Sequence, residues 1–245
     1  MQDQEQPLVS HLVELRSRLL KAVLAVLLLI VAMFPFAGKI FTLIAKPVLD
    51  NLSQGTEMIA TGVLAPFLTP FKMIIILAVI ISMPIIIYQI WAFVAPGLYK
   101  SEKRVALPIL ISSIILFYLG CAFAYFVVFP ILFVFLPSVA PEGVTYMPDI
   151  TNFLDTVVRL FFAFGLAFEI PIAVILLISM GVTTADKLAT ARPYVIIGIL
   201  VVAMLITPPD PSSQVLLAIP MWILFEFGLF MGKALRKKNK KTEAG

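Results

Sequence analysis

A single carboxylate lies in the middle of a long apolar stretch of this 245-residue chain. Glu169 stands in the run Ala167-Phe168-Glu169-Ile170-Pro171, within the apolar residues 154–180. Since a carboxylate in hydrocarbon is costly unless it is protonated, paired or hydrated, its position indicates a functional site, with structural pairing as the alternative. Pro171 has no N–H to donate to the carbonyl of Ala167, so we expect a break in the helix that could admit water beside Glu169.

Two further acids stand near the ends of apolar runs, among basic residues. Glu14 precedes Arg18 by four residues, a spacing that favours an ion pair along one helix face. Glu102 is the only acid in Lys100-Ser-Glu-Lys-Arg104, and Lys103 or Arg104 can neutralise it. From the residues alone, local pairing is the simplest interpretation of both acids.

Weaker polar candidates lie toward the end of the chain. Thr207 and Gln214 flank a proline-rich segment between two apolar runs. Glu226 lies near the end of the last apolar run, and we expect it to pair with Lys233 or with lipid headgroups.

The composition excludes most other kinds of site. Cys121 and His11 are the only residues of their types, which excludes a disulfide framework, a thiolate metal site and a haem held by paired histidines. The chain contains no P-loop, nucleophile elbow or dinucleotide-binding turn, so we predict no enzymatic activity and no cofactor. The hydrophobic fraction of 61% and the charged fraction of 13% exclude a soluble domain. The net charge of +4 does not indicate nucleic acid, because the basic residues cluster between apolar runs.

Elements that span a membrane must therefore position these residues. The pattern predicts an all-α membrane protein with six transmembrane helices, at about 22–38, 73–94, 105–129, 154–180, 193–206 and 212–231. Three prolines in Thr207–Pro211 predict a tight turn, which makes the fifth and sixth helices short. The fifth would extend only roughly 21–25 Å, against a hydrocarbon core of ~30 Å.

Basic residues predict the orientation of the chain. Most of the 18 lie in the N-terminal arm, the 2–3 and 4–5 connections and the tail, which places both ends in the cytoplasm. Residues 8–21 have the periodicity of an amphipathic helix along the membrane interface before the first span. Residues 37–71 and 130–141 are expected to be loops on the opposite side. We predict one transmembrane domain, residues 1–232, and a disordered basic tail, residues 233–245, near anionic lipid.

Four segments together resemble the signature segments of the TatC family, the multi-spanning subunits of twin-arginine protein translocases. They are His11–Arg18, Phe93–Arg104, Phe168–Pro171 and Thr207–Gln214, in the order that the family has. The resemblance extends over about residues 7–232. It implies a concave six-helix bundle in the bacterial cytoplasmic (inner) membrane. It also implies a receptor for signal peptides with two consecutive arginines, exporting folded proteins by means of the proton-motive force.

The resemblance implies a role for individual residues as well. Glu14 and Glu102 match the glutamates that recognise the two arginines, with Arg16, Phe93 and Tyr99 in support. A guanidinium group is always charged and presents a planar fork that a carboxylate can accept, so the chemistry agrees with that role.

Glu169 matches an intramembrane polar site of the family. Met204, Thr207 and Gln214 match docking positions for the single-span subunits TatA and TatB. Other TatC copies and membrane lipid are further implied partners. In one respect the chain departs from some members of the family, because residues 58–71 contain no carboxylate. The partner role that such an acid before the second span has in those members is therefore not assigned to any residue of this chain.

Two other functions compete with this interpretation. A proton-coupled transporter of small solutes would use Glu169 as its proton carrier and would show saturable uptake in liposomes. A membrane scaffold without specific recognition would not distinguish two arginines from two lysines.

Overall fold

The computed structural model of the chain describes most of its length. The described residues are 5–49, 57–98, 103–138, 147–179, 182–206 and 211–242. Within these ranges every regular element is a helix, and one isolated bridge joins Ile59 to Asp149. The predicted all-α class is confirmed for this part of the chain.

The described ranges contain eleven α-helices. In chain order they are α1 (Glu5–Met33), α2 (Ala37–Leu49), α3 (Ala65–Ile81), α4 (Met83–Leu98), α5 (Lys103–Phe123), α6 (Phe129–Ser138), α7 (Ile150–Ala167), α8 (Ile170–Ser179), α9 (Ala185–Thr190), α10 (Arg192–Ile206) and α11 (Pro211–Thr242). A 3-10 turn, Phe34–Phe36, links α1 to α2, and a π-helical turn, Ala124–Val128, links α5 to α6.

Several helical stretches are long and apolar enough to cross a membrane. They are Val13–Lys46, Leu107–Phe135, Ile150–Ile178 and Leu217–Ala234, with a fifth if the bent pair Ala65–Ile81 and Met83–Phe93 counts as one span. Helix α10 is apolar but has only 15 residues, which extend about 22 Å at 1.5 Å per residue. By length, the described residues therefore contain four or five spans and one shorter apolar helix.

The chain folds into two compact units. The first comprises the residues up to Lys46 together with Ala60–Ile114, and the second comprises Pro47–Ile59 together with the chain from Ile115 onwards. The single domain that the sequence predicts over residues 1–232 stays a prediction.

In the first unit, α1 packs against α3 and α4. Met73, Ile74 and Ala78 of α3 are fully buried there. Helix α1 is continuous because no glycine or proline occurs between Leu8 and Met33. The separate interfacial helix predicted for residues 8–21 is therefore the first part of the same helix that spans.

The region predicted as the first outer loop, residues 37–71, is largely helical. Helix α2 covers Ala37–Leu49, and α3 begins at Ala65 with Pro66 in its first turn. The prolines suggested a loop, but a proline in the first turn of a helix interrupts no hydrogen bond.

The second predicted span, residues 73–94, is bent. Helices α3 and α4 meet at Ser82 at an angle of 47°. Pro84 follows the junction and has no N–H with which to continue the helical pattern. Backbone hydrogen bonds continue across the junction, since the carbonyl of Ser82 accepts the amides of Ile85 and Ile86 at 2.9 and 3.0 Å.

In the second unit, the helix of the third span continues beyond the predicted end at residue 129. The π-helical turn lets the Phe129 amide donate to the carbonyl of Ala124, and the helix runs on to Ser138 despite Pro130. A π turn shifts the register of the hydrogen bonds, so the missing N–H of a proline is accommodated without ending the helix. The loop predicted for residues 130–141 is thus helical over its first nine residues as far as Ser138.

Helices α8 and α11 form the closest pair of the second unit. A Cβ atom built on Gly228 of α11 would lie 2.7 Å from Cα of Pro171, so only glycine allows this approach. Around it, Val174, Ile178, Phe225 and Leu229 are buried together.

Helix α11 corrects two predictions. With 32 residues it is not short, although its apolar part, Leu217–Ala234, has 18. Its backbone is helical as far as Thr242, where the sequence predicted a disordered tail from residue 233. Lysine and arginine form helices well, and their charge is favourable near the negative end of the helix dipole.

Candidate functional site

The carboxylate of Glu14 is engaged by an arginine one turn further along α1. Arg18 donates to Oε1 of Glu14 from Nε at 3.0 Å and from Nη2 at 2.5 Å. The predicted ion pair at this spacing is present. The side chain of Glu14 is 41% exposed and that of Arg18 is 22% exposed, so solvent screens the pair and it can be exchanged at little cost.

The same arginine connects α1 to α4. Nη1 of Arg18 lies 3.4 Å from Oε1 of Gln89, at the outer limit of a hydrogen bond. Phe93 lies one turn after Gln89 on α4 and is partly buried. Sequence reasoning missed Gln89, although an amide inside the apolar run Pro84–Phe93 was a usable signal. The structure thus brings Glu14, Arg18 and Gln89 together, beside the turn that carries Phe93.

Of the three remaining predicted peptide-binding residues, the structure describes only Arg16, and Arg16 is not part of this cluster. Glu102 and Tyr99 lie outside the described residues. Arg16 is exposed and lies on another face of α1, in a groove with Ser17 and Leu20. The described cluster can bind a guanidinium group through a carboxylate, because Glu14 already binds Arg18 in this way.

Glu169 lies at the predicted interruption of the fourth apolar segment. Helix α7 ends at Ala167, and α8 begins at Ile170. The amide of Glu169 donates to Leu166, and its carbonyl accepts the amide of Ala173 at 2.9 Å. The residue is partly buried and its Oε1 atom is shielded from solvent. The break therefore places the partly buried Glu169 between the end of α7 and the beginning of α8.

The predicted docking residues are placed differently from one another. Met204 of α10 is 50% exposed, as a contact for a partner in the membrane requires. Gln214 of α11 donates from Nε2 to the carbonyl of Leu200 at 2.9 Å, so its side chain connects α11 to α10. Thr207 lies outside the described residues.

An ion pair between α10 and α11 corrects the prediction for Glu226. Its two carboxylate oxygens accept Nε and Nη2 of Arg192 at 2.6 and 2.8 Å. The predicted partner, Lys233, instead lies 4.0 Å from Asp186. Arg192 and Glu226 are 34 residues apart, so no spacing rule along one helix could identify them. The parallel geometry is the strongest that an arginine and a carboxylate form.

Glu226→Gln should lower the midpoint of thermal unfolding by a few degrees, because the amide cannot accept both donors of Arg192. Arg192→Lys should do the same, since an ammonium group lacks the planar fork. The measurement is unfolding of the detergent-solubilised chain. Asp186→Asn is the matched control, because its contact with Lys233 is long and its side chain is 89% exposed. An equal effect of all three variants would contradict a specific role for the pair.

The described residues contain no group of three or more His, Cys, Asp or Glu side chains that could hold a metal ion.

Comparisons with known proteins agree with this arrangement. The model of the family described as "Sec-independent protein translocase protein (TatC)" matches residues 10–220. The TatC of Azotobacter chroococcum mcd 1 is 54% identical over 97% of this chain and 93% of its own length. That of Escherichia coli (strain K12) is 50% identical over 97% of this chain and 92% of its own length. A crystal structure described as the twin-arginine translocase receptor TatC superposes with a TM-score of 0.81 at 38% identity. It covers 91% of this chain and 98% of the solved one.

Proposed function

Because this chain belongs to the TatC family of Sec-independent protein translocase proteins, we propose that it binds the twin-arginine signal peptides of folded precursors through Glu14. The family membership makes it a membrane component and the receptor subunit of the translocase.

One observation carries the assignment of Glu14. Its carboxylate holds the guanidinium of Arg18 through two donors on a single oxygen, Oε1. An arginine of the peptide would make the same kind of contact, with Oε2 or in exchange for Arg18. Gln89 lies within reach of Arg18 and can accept it when the peptide takes its place.

The second arginine of the peptide requires a second acid, and we propose Glu102 for it. Tyr99 and Phe93 would line the path between the two acids. Lys103 and Arg104 beside Glu102 would hold the empty site near neutrality. Two carboxylates, each matched to one planar fork, explain a preference for two arginines over two lysines.

We propose six spans with both ends in the cytoplasm of the bacterial inner membrane. The short helix α10 is the additional crossing, and the basic residues of the connections favour this orientation. With α10 extending about 22 Å, it is shorter than the ~30 Å hydrocarbon core, and the bilayer would be thinner beside it.

The partners proposed inside the membrane are TatA, TatB and other TatC copies. Met204 offers an exposed apolar contact on α10, and Thr207 and Gln214 are the other docking residues that we propose. Glu169 supplies a polar contact at the break between α7 and α8. The proton-motive force, rather than catalysis by this chain, drives export.

Site-specific crosslinking tests the peptide site. A photoreactive residue at position 14 or 102 should crosslink to a precursor with two arginines, and a precursor with two lysines should give much less product. Position 36, just past the end of α1, is the control and should give none with either precursor. Equal products at all three positions, or with both precursors, would count against the proposed site.

A further inference from the structure

A groove on the surface of α1 has a chemistry that the peptide site does not use. Its volume is about 390 Å³, and we call it the α1 groove. The residues lining it are Val13, Arg16, Ser17, Leu20, Lys21 and Leu24.

The middle of the α1 groove is apolar. Val13, Leu20 and Leu24 are 61%, 57% and 57% exposed. At about 100° per residue, these three side chains lie within roughly 20° of one line along the helix. Arg16 then lies about 60° to one side and Lys21 about 80° to the other. An apolar strip is therefore flanked by two cations, with the hydroxyl of Ser17 between them.

The apolar strip of the α1 groove points away from the cluster that contains Glu14, whereas Lys21 at the edge of the groove lies within about 20° of Glu14 around the helix. Glu14 and Arg18 lie about 100° and 140° around the helix from Val13, on the side where Arg18 reaches α4. A peptide with two arginines would meet like charges in the groove. A ligand with an anionic head and an apolar tail matches its charges and its apolar strip.

We propose that the α1 groove binds one anionic phospholipid of the membrane. Its phosphate lies between Arg16 and Lys21, and an acyl chain follows Leu20 and Leu24. The depth of the groove in the membrane matches that of a lipid headgroup, because the groove lies at the beginning of the Val13–Lys46 stretch, where an apolar helix meets the headgroups. Arg16, which the resemblance links to peptide recognition, then also holds lipid. This inference does not depend on the assignment of Glu14.

The attraction of two basic side chains to anionic lipid sets the size of the expected effect. Each contributes a factor of about five, so an anionic lipid should be preferred over a zwitterionic one by about 25-fold. Lipids with the same acyl chains separate this charge effect from the apolar contact.

The test measures retained lipid by native mass spectrometry of the full-length chain from equimolar phosphatidylglycerol and phosphatidylcholine. Wild type should keep one phosphatidylglycerol preferentially. Arg16→Gln with Lys21→Gln should remove most of that preference. Lys39→Gln with Lys46→Gln, the same charge change at the other end of the stretch, should retain it. Ser17→Glu places an acid in the groove and should also lower the preference, with the cations still present.

Two results would overturn the inference. They are no preference in the wild type, and equal losses in the groove variant and the Lys39/Lys46 control. Failure of the Glu14 and Glu102 assignment, by contrast, would leave the lipid measurement unchanged.

Discussion

Glu14→Ala should weaken the binding of a twin-arginine signal peptide by about 10- to 100-fold, the effect of losing a hydrogen bond to a charged group. Glu102→Ala should have an effect of the same size. The peptide guanidinium stays charged at every physiological pH, so without a carboxylate it remains in water rather than at the site. The measurement is titration of a labelled peptide against the purified chain, with a peptide carrying two lysines for comparison.

Arg18 makes a sharper control possible for this variant. Glu14→Ala removes the carboxylate but also leaves Arg18 without its partner on α1, and that cation could repel the peptide by itself. Glu14→Ala with Arg18→Ala removes both charges. If loss of the carboxylate is responsible, the double variant should bind as weakly as the single one. Recovery of binding would assign the defect to the released arginine. Glu57→Gln, an exposed acid outside the helices, should bind normally.

Gly120→Ala should lower the free energy of unfolding by about 3 kcal/mol, near the upper end of overpacking effects. A Cβ atom at this position would lie 2.8 Å from the carbonyl carbon of Phe164 and 3.0 Å from Cα of Gly165. These are backbone atoms of α7, which cannot move without disturbing the helix. The measurement is unfolding of the chain in mixed micelles, together with the yield of folded protein.

Two glycines elsewhere provide matched controls for Gly120→Ala. A Cβ atom on Gly38 or Gly198 would have no neighbour within 4 Å. Alanine favours a helix over glycine by about 1 kcal/mol, so these variants should be as stable as the wild type or more so. A destabilisation shared by all three substitutions would contradict the close approach of α5 and α7. It would point to a general requirement for glycine in these helices.

The sequence predicts the parts of this protein that depend on neighbours along the chain. The break beside Glu169 follows from Pro171 two residues later, and the pair of Glu14 and Arg18 follows from one turn of helix. Both rules need only the local backbone. The resemblance to TatC, carried by four short segments, predicted the family that the comparisons confirm.

Prolines were harder to interpret from the sequence. Pro130 predicted the end of a helix, yet a π-helical turn lets the helix continue to Ser138. Pro66 suggested a loop and lies in the first turn of α3. Every proline lacks an N–H. The surrounding hydrogen bonds determine whether a proline bends a helix, ends it or lies in its first turn.

What the sequence determined by itself was the class of the protein, since apolar runs of this length can be satisfied only as helices in lipid. It also determined which acids are exceptional, because a charge among apolar residues is evident from composition. Only the tertiary structure decided which side chains meet across helices. Gln89 approaches Arg18, and Arg192 binds Glu226. The physical reason is that the packing of helices against one another determines these neighbours. The spacing of residues along one helix does not predict which face of another helix it packs against.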